Sequence, residues 1–456
     1  MASFLGVLAV GIFKYPIVNS DVSVWLYYLN QIHDTNLVMY RDIFEVNPPF
    51  AFALYSIPFY LNKFFNLHYF LGLSLLAYSL ILLSSFLIYS QNKRDGCLML
   101  VSFSVLTVAF IMDIVQREFV FIYLATPYLF IFNNKSSKYR GLSAALFAVA
   151  FLIKPFYLIL FFFWFAWIFY KDNFYREQLL VDLKIGLLTL ITFSLIMLSI
   201  FPEFLNIISL LPEYKGTNDL GLISVAFSSG FLLISLIFII FLIDSYPFKN
   251  LSLIAILTSF IFGVYFQQKF FVYHYIPFLV FVFYWAIKRP LFPKEYMIQF
   301  ARVFLIFYIV GLLVMTLLEY DHNKKNNFDY FIQKEFGCSP KNTAYFTHFS
   351  SFTPWDLENR DFSTRSPSSY SILTFHFNRE TNIIKHNYNL VKDELESAKC
   401  IVSGSRNESF YPEFFKNKTY RGTFENLIGY KKVYSLTNKE DHKWTIGNKY
   451  DKVVTH

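Results

Sequence analysis

The sequence predicts a polytopic α-helical membrane protein of about 11 transmembrane helices with juxtamembrane helices, followed by a C-terminal soluble α/β domain. Three observations predict this fold class. Of 456 residues, 55% are hydrophobic and only 16% are charged, whereas charged residues make up about a quarter of an ordinary soluble chain. Aromatic residues reach 21%, with 58 Phe and 33 Tyr. The charges are also unevenly spread: 36 fall in the first 319 residues and 36 in the last 137. The boundary therefore divides a transmembrane region, 1–319, from a soluble region, 320–456. The second region keeps many Phe, Tyr, Ile and Leu residues, which excludes a disordered polar tail. A net charge of +8 reads as basic cytoplasmic loops and calls for no nucleic-acid partner.

Apolar stretches run at 2–18, 67–90, 97–112, 119–132, 142–153, 156–170, 185–201, 221–243, 251–266, 276–288 and 300–319. Several are shorter than the roughly 20 residues a bilayer asks for, as expected of helices buried in a bundle where a site funnels inward. The N-terminal MASFLGVLAVGIF lacks a positive n-region and a clear small-residue cleavage site, so it reads as a retained first crossing. Lys93 and Arg94, then Lys135, Lys138 and Arg140, then Lys171, Arg176 and Lys184, then Lys249, then Lys288, Arg289 and Lys294 fall in every second loop. Those loops are predicted to be cytoplasmic, and the C-terminal domain extracytoplasmic. Residues 48–65 break the alternation if counted as a crossing. They are read as a helix lying at or dipping into the outer face, with Asn47 as its cap and Pro48 in its first turn.

Polar groups at membrane depth are expensive and point to function. Here they gather on the predicted outer side: Asp21 in the first outer loop, then Asp113, Arg117 and Glu118 in MDIVQREF, and Lys154 in LIKPF. Tyr214 and Lys215 follow in LPEYKGTND, then Gln268, Lys269, Tyr273 and His274 in FQQKFFVYHYIPF. Carboxylates act as general bases on hydroxyls, and Lys, Arg and His hold phosphate. The combination predicts chemistry on an anionic substrate delivered from the membrane, such as a sugar carried on polyprenyl phosphate. Simpler roles fit the same residues: Asp21 as a helix cap, Arg117–Glu118 as a structural ion pair, and Lys154 as an interfacial side chain reaching for water.

The order of these elements carries a resemblance. NSD at 19–21 ends a first span, a surface helix follows, and YRDIFEVNPP opens a second helix. With the acidic loop from Asp113 to Glu118, the KP turn at 154–155 and the segment ending at His274, the first 320 or so residues resemble GT-C-fold glycosyltransferases. That superfamily contains protein O-mannosyltransferases and aminoarabinose transferases, and the likeness is to a bacterial branch. The resemblance implies an inverting glycosyltransferase in a bacterial inner or plasma membrane, active at the outer face in glycan and cell-envelope biosynthesis. It implies Asp21 as catalytic carboxylate and an accessory catalytic role for Asp113 or Glu118. Arg117, Lys154, Lys215, Lys269 and His274 are expected to grip the donor phosphate, with Tyr214, Gln268 and Tyr273 binding substrate. The partners implied are a polyprenyl-phosphate sugar donor, a glycan, lipid or protein acceptor, and membrane lipids. No cofactor is required, and a divalent metal is permitted. The DxD-like and WWD motifs of the oligosaccharyltransferase branch are not matched by DIVQRE or by TPWD at 353–356, which argues against metal-dependent asparagine glycosylation.

The C-terminal region contains strand-like runs at 370–377, 399–404 and 430–436 and no phosphate loop, dinucleotide fingerprint or metal-ligand spacing. Cys338 and Cys400 both fall there, on the predicted oxidising side, where a disulfide is permitted. Two rival functions remain at this level. An O-antigen polymerase or ligase would concentrate Arg and His in one large outer loop. A lipid or polysaccharide transporter or flippase would place polar residues at mid-membrane on broken, repeated helices.

Overall fold

The computed structural model describes residues 20–43, 45–131, 138–160, 162–163, 173–209, 228–244, 251–267, 272–288, 343–346, 386, 389–390, 392–393, 400–404, 418–426 and 429–436. The described part is mostly helical. In chain order the helices are α1 (Ser20–Thr35), α2 (Pro49–Phe65), α3 (Tyr69–Tyr89), α4 (Lys93–Ala109), α5 (Arg117–Ile131), α6 (Arg140–Ile153), α7 (Asn173–Ile200), α8 (Phe204–Ile208), α9 (Ser229–Asp244), α10 (Leu251–Gln267) and α11 (Ile276–Lys288). Single 3-10 turns at Ile111–Asp113, Pro155–Tyr157 and Val272–Tyr275 lead into α5, follow α6 and lead into α11.

Among the described residues two helices are long and apolar enough to cross a membrane: α3, and the Glu177–Ile200 stretch of α7. They use their surfaces differently. In α3, Leu73, Ala77, Ile81 and Ile88 are buried on one side. In α7, Leu187, Leu188, Ile191, Leu195 and Ile196 are exposed. The exposed face of α9 adds Leu232, Leu236, Ile239 and Ile243. Apolar surface this extensive is disfavoured in water and fits hydrocarbon.

α5 is the central helix. Every residue from Arg117 to Leu129 is buried, and α5 is packed by α3, α6 and α11. Its aromatic side chains interlock with their neighbours: Phe121 meets Phe151, Tyr157 and Phe260, and Phe130 meets Phe281 and Tyr284. A helix apolar around its whole circumference belongs inside a bundle.

Polar contacts define two ends of this bundle. At one end Arg140 makes a buried, bidentate pair with Asp182, which also accepts from the Tyr128 hydroxyl. At the same end Asp95 accepts from Tyr284 and Lys288, and Arg94 donates to the Lys288 carbonyl. Asp21, Arg117, Glu118, Lys154 and His274 lie at the other end. Both ends of α6 and of the segment through α11 are thereby marked. Arg140 and Lys154 are 14 residues apart, as are His274 and Lys288, or about 21 Å along a helix. The basic residues at 93, 94, 138, 140 and 288 share the end remote from Asp21.

Helix boundaries follow these contacts more closely than they follow hydropathy. α7 begins at Asn173, twelve residues before the apolar run at 185. The extension carries Asp182, whose charge is matched by Arg140 inside the protein. α4 starts at Lys93 because Asn92 caps it, its side chain accepting from the Asp95 N–H. It ends at Ala109, before the 3-10 turn. Residues 49–65 form a helix, as expected, but Asn47 does not cap it. Pro48 holds the N-cap position with no side-chain capping bond, and the Asn47 amide is used elsewhere. The expected spans at 2–18 and 300–319, and most of the one at 156–170, lie outside the described residues.

In the C-terminal region, β1 (Thr343–Phe346), β2 (Cys400–Gly404), β3 (Lys418–Asn426) and β4 (Gly429–Leu436) form one mixed sheet in the order β1-β2-β4-β3. β1 runs parallel to β2, pairing Thr343 with Cys400. β4 is antiparallel to both β2 and β3, with an irregularity between Tyr420 and Gly422. β2 and β4 coincide with predicted strands; the run at 370–377 lies outside the described residues. Cys400 is disulfide-bonded and Cys97 is a free thiol; Cys338 lies outside the described residues.

Candidate active site

The site is assembled from the start of α1, the segment between α1 and α2, the turn before α5, the end of α6 and the turn before α11. Asp21 stands in the first turn of α1. Trp25 stacks on Tyr55 of α2, with ring centroids 6.0 Å apart, and Asn30 exchanges hydrogen bonds with the Tyr69 hydroxyl of α3. These contacts hold α1 across the bundle end.

Residues 36–43 and 45–48 form a folded strap. Asn36 and Tyr40 take left-handed φ values of 59° and 69°. The Val38 carbonyl accepts from the N–H groups of Arg41 and Asp42, and Asp42 Oδ2 accepts from the Val38 N–H at 2.8 Å. The Tyr40 hydroxyl donates to the Asn47 carbonyl at 2.8 Å. Glu45 Oε1 accepts from the N–H groups of Val46 and Asn47 and from Asn47 Nδ2, at 2.8, 2.9 and 2.6 Å.

The turn into α5 is backbone-strained. Val115, β-branched and fully buried, has φ 59°, a conformation that costs such a residue on the order of 1–3 kcal/mol. Its carbonyl accepts from the Tyr55 hydroxyl at 2.9 Å. The turn aims three consecutive side chains into the site. Gln116 Nε2 donates to Asp21 Oδ2 at 3.1 Å, and Arg117 Nη2 lies 3.3 Å from the same oxygen. Arg117 Nη1 donates to Asn47 Oδ1. Glu118 is directed the other way, its Oε1 2.6 Å from Lys154 Nζ and 2.7 Å from His274 Nδ1.

Lys154 reaches this position because α6 stops there: Lys154 takes φ −139°, ψ 82°, and Pro155 opens the following turn. The Tyr157 hydroxyl then donates to the His274 carbonyl at 3.4 Å. Glu118, Lys154 and His274 are buried. The Asp21 side chain is 33% exposed against 10% for Arg117. Asp21 is thus the carboxylate of this cluster that is open to an incoming molecule. Burial raises the Asp21 carboxyl's pKa, but the positive charges of Arg117 and Lys154, with the Gln116 hydrogen bond, bring it below the usual value. It is therefore ionised at neutral pH, the state a general base needs.

Five expected site residues, Asp21, Arg117, Glu118, Lys154 and His274, are brought together. Asp113 lies half-buried in the turn that feeds Arg117. Tyr214, Lys215, Gln268 and Lys269 lie outside the described residues, as does the side chain of Tyr273. Arg117 pairs with Asp21, not with its neighbour Glu118. Lys154 is buried against Glu118 and does not reach for water. Sequence reasoning placed Gln116 in the outer MDIVQREF segment without a role, missed Glu45 and gave Asn47 the wrong task. The signal for Asn47 was the pair of prolines after it: Pro48 takes the N-cap position, which leaves the Asn47 amide one residue outside the cap. Among the described residues no group of three His, Cys, Asp or Glu side chains is placed to hold a metal ion.

Comparison with models of known families, with curated proteins and with solved structures returned no match.

Proposed function

We propose that this chain is a membrane glycosyltransferase that moves a sugar from a polyprenyl-phosphate carrier to an acceptor hydroxyl at the outer membrane face. The observation that carries the reading is the partly exposed Asp21 carboxylate, held by Gln116 and Arg117 beside the buried Glu118–Lys154–His274 group. Asp21 takes the proton of the acceptor hydroxyl. The acceptor oxygen bonds to the anomeric carbon, with inversion, as the bond to phosphate oxygen breaks and the electron pair leaves with polyprenyl phosphate. Lys154 and His274 are committed to Glu118, so they shape the site wall. The leaving phosphate falls to Lys215 and Lys269.

The outward orientation is supported by the basic side chains at 93, 94, 138, 140 and 288, which cluster at the end remote from Asp21 as cytoplasmic residues do. The disulfide at Cys400 supports an oxidising location for the C-terminal domain. The eleven-crossing GT-C-like architecture, with its boundary at 319/320, belongs to the same reading.

The test is release of polyprenyl phosphate from a labelled carrier-linked sugar by purified protein. Asp21→Asn retains shape and hydrogen bonding but loses the base, and should lower transfer roughly 100-fold or more. Transfer within a few-fold of wild type removes Asp21 from the mechanism. Carrier movement across the bilayer without bond cleavage would identify a transporter instead.

A further inference from the structure

We propose that Glu45 is a positioning residue for the Arg117–Asp21 pair: it orients the Asn47 amide so that the oxygen, not the nitrogen, faces the guanidinium. An amide side chain can present either end, and its orientation is set by its partners. Glu45 Oε1 accepts from Asn47 Nδ2 at 2.6 Å and from the Asn47 N–H at 2.9 Å. That leaves Oδ1 turned toward Arg117 Nη1, to which it is bonded. The reverse orientation would set the amide NH2 against the guanidinium, donor against donor.

The backbone beneath is tied independently by the Tyr40 hydroxyl on the Asn47 carbonyl, and the following Pro48 disfavours the helical region at Asn47. With Nη1 anchored on Asn47, the rigid guanidinium fork directs Nη2 to Asp21 Oδ2. The order of control is Glu45, Asn47, Arg117, Asp21. Glu45 touches none of the reacting atoms in this scheme. Its effect appears at Asp21, whose carboxyl is kept ionised largely by Arg117. The consequence for catalysis rests on the reading of Asp21 as base; the positioning itself does not.

The experiment is therefore one that needs no turnover. A hydrophobic carbodiimide attacks protonated carboxyls, so the pH midpoint for labelling Asp21, read by peptide mass spectrometry on the full-length protein in detergent, reports the hold of Arg117. Glu45→Ala should move that midpoint upward by about one pH unit, a tenfold change in labelling at fixed pH. Glu45→Gln, whose amide oxygen accepts the same N–H groups, should restore the wild-type midpoint. In an Asn47→Ala background, Glu45→Ala should add nothing, because its effect passes through the missing amide. An unmoved midpoint in Glu45→Ala, or additive shifts in the double variant, overturns the proposal. Should Glu45→Ala fail to fold, Asn47→Ala must give the same upward shift, and no shift there is equally decisive against it. Transfer by Asp21→Asn would sink the catalytic reading while leaving the labelling result to stand or fall alone.

Discussion

His274 Nδ1 sits 2.7 Å from Glu118 Oε1 although 156 residues separate them in the chain. Lys154 Nζ lies 2.6 Å from the same oxygen. One buried carboxylate therefore joins the start of the central helix, the end of α6 and the turn into α11. Such a junction is stable only while the charges balance, since a buried charge without its partner is strongly disfavoured.

Glu118→Ala should thus destabilise the protein by about 3–5 kcal/mol, because Lys154 stays buried without its counter-charge. Pairing it with Lys154→Met removes the stranded charge and should recover part of that loss. Thermal unfolding of the single and double variants in detergent measures this. A double variant as unstable as the sum of the two singles would show that Glu118 and Lys154 are not coupled.

Asp42 should make stability depend on acid pH. Burial raises its pKa, but hydrogen bonds from Arg41, from the Val38 N–H and from His386 outweigh that and hold the carboxyl at about 2, against 3.8 ordinarily. The folded value is depressed, so the stabilisation is fully present above 3.8 and is lost as pH falls through about 2. Screening at the exposed Arg41 and His386 side chains keeps its size to about 1 kcal/mol. Asp42→Asn should lower the unfolding midpoint near neutrality, with the gap to wild type closing across that acid window. A gap that is constant with pH would rule out titration of Asp42 as its source.

Cys97 provides a native topology probe. It is a free, exposed thiol, one turn into α4 at the end remote from Asp21. A membrane-impermeant maleimide should label it in inside-out vesicles and leave it untouched in intact cells, while a reporter fused after His456 should read extracytoplasmic. Labelling from outside would reverse the orientation and move the site to the cytoplasmic face.

The α3–α4 hairpin depends on Gly96. A Cβ there would overlap the Tyr89 backbone at the end of α3, so Gly96→Ala must separate the two helices. Overpacking of this kind costs about 1–3 kcal/mol, more than the roughly 1 kcal/mol gained in helix propensity. Gly186→Ala is the control: its Cβ would meet only Ala148 Cβ at 3.7 Å, an ordinary contact, and should leave stability unchanged or slightly raised. Equal midpoints for both variants would refute the close-approach argument.

Much of this arrangement was legible in the residues themselves. Apolar length located α3, α6, α10 and α11 nearly to their ends. The spacing of Lys and Arg separated a basic end from the end that holds Asp21, Arg117, Glu118, Lys154 and His274. Both signals survive because hydropathy and charge sum locally along the chain, and a bilayer reads those sums directly. Which partner each charge takes is a different quantity. Arg117 turns to Asp21 and Asn47 while its neighbour Glu118 turns to Lys154 and His274. Asp182 lies inside a helix that hydropathy would begin later, because Arg140 neutralises it from α6. These choices depend on distances of a few ångströms between segments up to 156 residues apart. Only the packing of the helices sets such distances, because a buried ionic group is tolerated only where the fold brings it a partner.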